Sequence, residues 1–108
     1  MQGLQKEITN TFFQTLEDLK TKEDLKLFFS DLLTPKELED LTKRLAIAYW
    51  LHKKRDTQNI KTNLKASIKE INEVKQKLRT KGYKLALKYM EAEEWSNKWA
   101  ENFKKVLK

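Results

Sequence analysis

Positively charged side chains are concentrated in the middle of this 108-residue sequence. Residues 53–90 contain twelve Lys/Arg against three Asp/Glu, a net charge of +9, whereas the rest of the chain has a net charge of −2. A local positive field of this kind attracts polyanions, of which nucleic acid is a common example. The alternative is a lysine-rich composition whose charges face only water, and charge alone leaves that alternative open.

Within this basic segment, apolar residues recur at helical spacing in two short stretches. The first stretch runs from Thr57 to Leu64 and the second from Ile68 to about Arg79, with Lys65-Ala66-Ser67 between them. Ser67-Ile68-Lys69-Glu70 has the form of a capping box, which begins a helix, and the small Ala66 suits a tight turn. The pattern predicts a helix-turn-helix over about 57–79, whose second helix enters the major groove of DNA. An ordinary helical hairpin is the alternative.

Side chains at the two helix starts are the predicted base-reading residues. They are Thr57, Gln58, Ile68, Lys69, Glu70 and Asn72. Flanking cations are predicted to bind phosphates, which positions a protein without reading sequence. These cations are Lys53, Lys54, Arg55, Lys61 and Lys65. A carboxylate at Glu70 can accept a hydrogen bond from cytosine, but we favour a role as the capping partner of Ser67.

The remaining elements are also predicted to be helical, because two glycines and one proline are too few for a sheet with tight turns. We expect an all-α fold of about six helices in a single domain, residues 1–108. A first amphipathic helix starts near Leu4, and capping sequences at Thr21 and Thr34 begin two more. The helix after Thr34 is predicted to bury Leu41 and Leu45 and to end near residues 53–55.

The C-terminal part of the sequence is predicted to form the last helix. Thr80-Lys81-Gly82 is typical of a helix end followed by a glycine. The last helix then carries an aromatic face with Trp95, Trp99 and Phe103. Such a face fits either a surface that a partner chain covers or the chain's own core.

Several classes of site are excluded by composition. The sequence has no cysteine, so disulfides and thiolate metal sites cannot form, and a single histidine, His52, cannot build a multi-histidine site. We therefore expect no metal, no cofactor and no enzymatic activity. No apolar run reaches the roughly 18 residues that span a bilayer, and residues 1–6 lack a signal-peptide pattern. We accordingly expect no membrane association and a cytoplasmic location.

Three blocks of the sequence resemble the Trp repressor superfamily. They are Leu32–Glu37 (LLTPKE), Leu41–Arg44 (LTKR) and Leu64–Ile71 (LKASIKEI), and the resemblance extends over residues 28 to about 80. It implies an intertwined helical homodimer with a helix-turn-helix at each end, reading a palindromic operator in double-stranded DNA.

The resemblance also indicates where an effector pocket would lie. Family members that bind tryptophan use a threonine and an arginine that correspond to Thr34 and Arg44. They also use a second arginine and a glycine in the reading helix, which correspond to Glu73 and Val74 when one residue is deleted near Asn59-Ile60. An acidic residue and a bulky one at these positions predict that tryptophan does not bind and that no small-molecule corepressor is needed. We hypothesise that Arg44 and Glu73 pair across this vestigial pocket and hold the reading helix.

The sequence thus predicts a sequence-specific DNA-binding regulator, a repressor that acts as a homodimer. The alternative function is a helical module that binds RNA or a protein partner and has lost operator recognition.

The turn of the predicted helix-turn-helix carries Lys65 at a position where this turn often has glycine. If the backbone there is left-handed, the lysine lowers the stability of the fold by on the order of 1 kcal/mol.

Overall fold

The all-α prediction is confirmed by a computed structural model, which describes residues 2–93. Six α-helices lie within these residues. They are α1 (Gln2–Leu19), α2 (Lys22–Leu32), α3 (Pro35–His52), α4 (Thr57–Leu64), α5 (Ile68–Lys77) and α6 (Lys81–Ala92).

Most helix starts follow from local capping chemistry, because the first amides of a helix have no partner within it. The Thr21 hydroxyl accepts from the amide of Asp24 at 3.1 Å. At α3 the bonding is reciprocal: the amide of Glu37 donates to the Thr34 hydroxyl at 3.1 Å, and the Glu37 carboxylate accepts from the Thr34 amide at 2.9 Å. These contacts place the helix starts where the sequence predicts them.

The chain up to Glu39 and the chain from Asp40 onward form two compact units. In the first unit α1 contacts α2, and an aromatic cluster forms the contact. The ring centroid of Phe12 lies 6.3 Å from that of Phe28 and 6.5 Å from that of Phe29. Neither α1 nor α2 contains a fully buried residue. This unit therefore has a contact layer but no closed core among its own described residues.

The second unit has a closed apolar core centred on the C-terminal half of α3. Four consecutive residues, Ile47–Trp50, are buried, and at 100° per residue they cover every side of the helix. Ile60 of α4, Ile71 and Val74 of α5, and Leu87 of α6 complete this core. The core thus fixes α4 and α5 around one end of α3.

Two expectations about this part of the chain are wrong. Gly82 does not follow a helix end: Thr80 is the extended residue that precedes α6, and Gly82 lies in the first turn of α6. Leu41 and Leu45 are exposed, because the buried face of α3 begins only after them. The end of α5 differs slightly from the prediction: the helix ends at Lys77, two residues before the predicted end near Arg79. The predicted aromatic residues Trp95, Trp99 and Phe103 lie outside the described residues.

Candidate nucleic-acid interface

The predicted helix-turn-helix is present as α4, a short turn and α5. The helix α4 begins at Thr57 because the Asp56 carboxylate accepts from the amide of Asn59 at 2.7 Å. It ends at Leu64, and the next residue, Lys65, has a left-handed backbone with φ 52° and ψ 45°. Ala66 follows with only 4% of its surface exposed, and its amide donates to the carbonyl of Lys61 at 3.2 Å. A larger side chain at Ala66 would have to displace the core.

The start of α5 is fixed by the predicted capping box. The Ser67 hydroxyl accepts from the amide of Glu70 at 3.0 Å, and the Glu70 carboxylate accepts from the amide of Ser67 at 3.2 Å. Glu70 therefore performs the structural role that the sequence favoured. Its predicted base contact stays a prediction, and that contact competes with this hydrogen bond.

The two sides of α5 differ sharply in exposure. Ile71 and Val74 are buried against the core, at 0% and 3% exposed. Lys69 and Asn72 face solvent, and so does Ile68, which keeps 44% of its surface exposed although it is apolar. The outer face of α5, defined here as Ile68, Lys69 and Asn72, thus offers one apolar and two polar side chains at the N-terminal end of the helix.

Two further predicted base-reading residues lie in the first turn of α4. Gln58 is exposed, and its amide nitrogen donates to the hydroxyl of Thr62 at 3.2 Å along the same helix. Thr57 is half-buried. Both side chains belong to the same compact unit as the outer face of α5.

The predicted phosphate-binding cations divide into two groups, which sequence reasoning did not separate. Lys54, Lys61 and Lys65 are exposed, and their ammonium groups form no ion pair with residues 2–93. Lys53 and Arg55 are instead held by their own chain. Lys54, Lys61 and Lys65 can therefore bind a polyanion without first breaking an ion pair within residues 2–93.

Lys53 lies between two partners on neighbouring helices. Its ammonium donates to the carboxylate of Glu91 on α6 and lies 5.7 Å from the centroid of the Tyr49 ring. The hydrogen bond from Lys53 holds the pKa of the Glu91 carboxyl below its usual value of 4.5, although partial desolvation opposes this effect. His52 also faces Glu91, with Nε2 at 3.5 Å from the carboxylate. This cluster connects the end of α3 to α6 through groups that remain accessible to solvent.

The residues that the resemblance assigned to a vestigial effector pocket are each described by the structure. Arg44 and Glu73 are both exposed and form no ion pair with each other or with any other residue in the described part of the chain. Val74 is buried in the core, and the neighbouring Glu73 therefore faces away from the core. Thr34 is occupied by the capping box with Glu37. No Arg44–Glu73 pair thus forms within the described residues of one chain, and the vestigial effector pocket itself stays a prediction.

A neighbouring lysine makes the connection that was expected of Arg44. The Lys43 ammonium donates to the carbonyl of Lys65 at 3.3 Å and lies 3.9 Å from the second carboxylate oxygen of Glu70. Sequence reasoning missed Lys43, because its spacing on α3 carries no signal of a contact with a residue 22 or 27 positions away. Only the packing of α3 against the turn brings these groups together.

Other kinds of site find no support in the described residues. Between residues 2 and 93, no group of three or more His, Cys, Asp or Glu side chains could hold a metal ion. None of the helices in the same range has both the length and the apolar character to cross a membrane.

The described helices, turn and basic surface define a helix-turn-helix protein. A comparison with protein-family models agrees, since the model described as Trp repressor protein matches residues 7–91. The chain belongs to the Trp repressor family. This family suggests a DNA-binding regulator and is not a family of enzymes. A search of curated proteins found no match.

Proposed function

We propose that this chain is a sequence-specific DNA-binding repressor that acts as a homodimer and needs no tryptophan. The outer face of α5 carries the proposal: Ile68, Lys69 and Asn72 are exposed at the start of a helix whose other side is anchored in the core. A helix held in this way can enter the major groove with its first turn. The residues at the start of α4, Thr57 and Gln58, contact the adjacent bases or backbone.

The phosphate contacts come from Lys54, Lys61 and Lys65. These three lysines are exposed, and none has an ionic partner in residues 2–93. Lys54 precedes α4, Lys61 lies within it and Lys65 directly follows it. Cations of this kind release counterions from DNA when they bind, so affinity falls steeply with salt. Glu70 contributes through the capping box instead of through a base, because both of its carboxylate oxygens face groups of the protein.

Exposed apolar side chains support the homodimer. In the first unit α1 and α2 bury no residue completely, yet Leu4, Ile8 and Phe13 are more than half exposed. In the second unit Leu85 and Tyr89 form an exposed pair one turn apart on α6. Apolar surface of this extent is typical of a face that a partner covers. A second copy of the chain, as the family resemblance implies, would supply that partner.

The absence of a corepressor is supported by the state of the reading helix. Glu73 places a negative charge on the exposed side of α5. Val74 fills a buried position where a smaller residue would leave space. A carboxylate ligand would meet repulsion from Glu73, and the start of α5 is already held by bonds within the chain. Titration calorimetry with L-tryptophan tests this point: we expect no heat of binding, and saturable binding would contradict it.

Selection of bound sites from random duplex DNA, with the mass of the complex measured alongside, tests the proposed function. We expect an enriched inverted repeat bound by two copies of the chain, because the operator symmetry follows the symmetry of the dimer. A pool without an enriched motif after repeated rounds would contradict sequence-specific binding.

A helical interaction module is the second candidate function. Glu70 and Glu73 reduce the positive charge of α5, and Glu91 pairs with Lys53. The positive field of this surface is therefore weaker than a strong DNA binder requires. The same selection carried out with random RNA distinguishes the two functions. Enrichment of RNA but not of duplex DNA would replace the first proposal by the second.

A further inference from the structure

We propose that Lys43 is a positioning residue that holds the turn and the first turn of α5 in one orientation, so that the reading helix is set for DNA without a bound ligand. The inference rests on the proposed function, because α5 is a reading helix only in a DNA-binding protein.

The position of the Lys43 ammonium is the first observation. It donates to the carbonyl of Lys65, the left-handed residue between α4 and α5, at 3.3 Å. It also lies 3.9 Å from the Glu70 oxygen that the Ser67 amide does not use. One cation on α3 thus contacts both the turn and the group that caps α5.

The second observation is that the Lys43 side chain is largely covered by the protein. Its side chain is only 14% exposed, whereas the neighbouring Arg44 is exposed and has no ionic partner within residues 2–93. A charged hydrogen bond in a partly desolvated position is stronger and more directional than an exposed ion pair. Lys43 therefore stabilises one arrangement of the turn instead of adding general surface charge.

The geometry also explains how α5 is fixed where the family resemblance would place a ligand. The rest of α5 is anchored by Ile71 and Val74, which are both C-terminal to the capping box. The capping segment 67–70 has no buried side chain of its own, although it lies between the buried Ala66 and Ile71. Polar contacts through Glu70 and the Lys65 carbonyl therefore add to this apolar anchoring in fixing the segment, and Lys43 joins them.

The experiment compares Lys43→Met and Lys43→Arg with the matched control Lys26→Met, an exposed lysine of α2. Methionine keeps the alkyl stem and removes the charge, so urea unfolding should show a folded protein in each case. In the absence of DNA, amide hydrogen exchange is measured at the four bonded amides around the turn, which are Ala66, Ser67, Glu70 and Ile71. We expect Lys43→Met to accelerate their exchange about tenfold with no change at Ile47–Trp50, as expected for a local opening.

A second pair of variants shows whether Lys43 acts through Glu70. Glu70→Gln keeps a side-chain acceptor for the Ser67 amide but loses the charge that faces Lys43. If the two residues act together, the double variant Lys43→Met/Glu70→Gln has little more effect on exchange than Lys43→Met alone. Fully additive effects on exchange would overturn the connection through Glu70.

DNA binding to the selected duplex gives the functional readout. We expect Lys43→Met to weaken specific binding about tenfold and binding to a scrambled duplex less than twofold, with the salt dependence unchanged because Lys43 meets no phosphate. Lys43→Arg should restore most of the specific affinity, and Lys26→Met should leave it unchanged. Equal losses on both duplexes, or a reduced salt dependence, would overturn the positioning role.

The two arms separate the inference from the proposed function. If the wild-type protein binds no duplex specifically, the proposed function fails, and the exchange measurement still decides whether Lys43 orders the turn. Unchanged exchange at the four amides in Lys43→Met would overturn the inference even if the protein binds DNA.

Discussion

The guanidinium of Arg55 lies over the indole ring of Trp50, 4.3 Å from its centroid. The backbone amide of Arg55 donates to the carbonyl of Trp50 at 3.0 Å, and its side chain donates to the amide oxygen of Asn59 at 3.1 Å. One residue therefore connects the end of α3, the following loop and the first turn of α4. This arrangement makes Arg55 part of the support of the helix-turn-helix and not a free cation.

The contact between Arg55 and Trp50 leads to a first prediction. Arg55→Met should lower the free energy of unfolding by about 0.5–2 kcal/mol, because a stacked cation and a charged hydrogen bond are lost together. Arg55→Lys should not restore this loss, since an ammonium cannot stack as a planar fork does. Urea unfolding measures the change, with Lys54→Met as the adjacent control. A reduced salt dependence of DNA binding in Arg55→Met would show a phosphate contact instead.

The exposed lysines lead to a second prediction, on salt dependence. In Lys54→Met/Lys61→Met, each lost phosphate contact should reduce the slope of log affinity against log salt by about 0.9, hence by roughly 3.6 for four contacts in a dimer. Lys6→Met/Lys26→Met removes the same charge from α1 and α2 and should leave the slope unchanged. Fluorescence anisotropy over a salt series gives both slopes. If both variants lower the slope equally, net charge and not these positions controls binding.

The two isoleucines of α5 should behave in opposite ways. Ile71→Ala should cost about 2–5 kcal/mol of stability, because it opens a cavity at a fully buried position. Ile68→Ala should cost less than about 1 kcal/mol, since nearly half of that side chain already faces water, and yet it should weaken specific DNA binding. Thermal unfolding and binding to the selected duplex are measured on both variants. An Ile68→Ala protein with wild-type affinity would remove Ile68 from the interface.

The left-handed backbone of Lys65 gives a fourth prediction. Lys65→Gly should raise the free energy of unfolding by about 1 kcal/mol relative to Lys65→Ala, because only glycine adopts φ 52° without strain. Both variants lose the same cation, so both should bind DNA less tightly. Equal stability of the two variants in urea would mean that the turn relaxes around a side chain.

The cluster around Glu91 gives a prediction on pH. Because its pKa lies below 4.5 in the folded protein, the ionised carboxylate adds stability that is present above about pH 5 and is lost as the pH falls through the folded-state pKa. Glu91→Gln should therefore be less stable than the wild type near neutral pH and equally stable in acid. Glu93→Gln, an exposed neighbour, serves as the control in thermal unfolding from pH 7 to pH 3. A difference that persists in acid would contradict the assigned ion pair.

Helix starts and the helix-turn-helix could be predicted from the sequence because their causes are local. The capping sequences at Thr34 and Ser67 form the hydrogen bonds that their spacing indicates. Gly82 was misleading because a glycine near a helix boundary fits both the end of one helix and the first turn of the next. Leu41 and Leu45 have the right spacing for a buried face, but periodicity does not tell where along a helix the neighbours begin.

The contacts of the charged residues could not be predicted from the sequence. Lys53 and Arg55 carry the same charge as Lys54, and only the positions of Glu91 and Trp50 determine that they are occupied. Lys43 is connected to the turn for the same reason. Long side chains reach many places, so their partners depend on the packing of the helices that carry them.

Selection of duplex sites repeated with Asn72→Ala tests most directly whether the outer face of α5 reads DNA sequence. The account predicts an inverted repeat that keeps its spacing but loses base preference at one position in each half-site, since a lost base contact is worth about 1–3 kcal/mol of discrimination. A motif identical to that of the wild type, base for base, would contradict it.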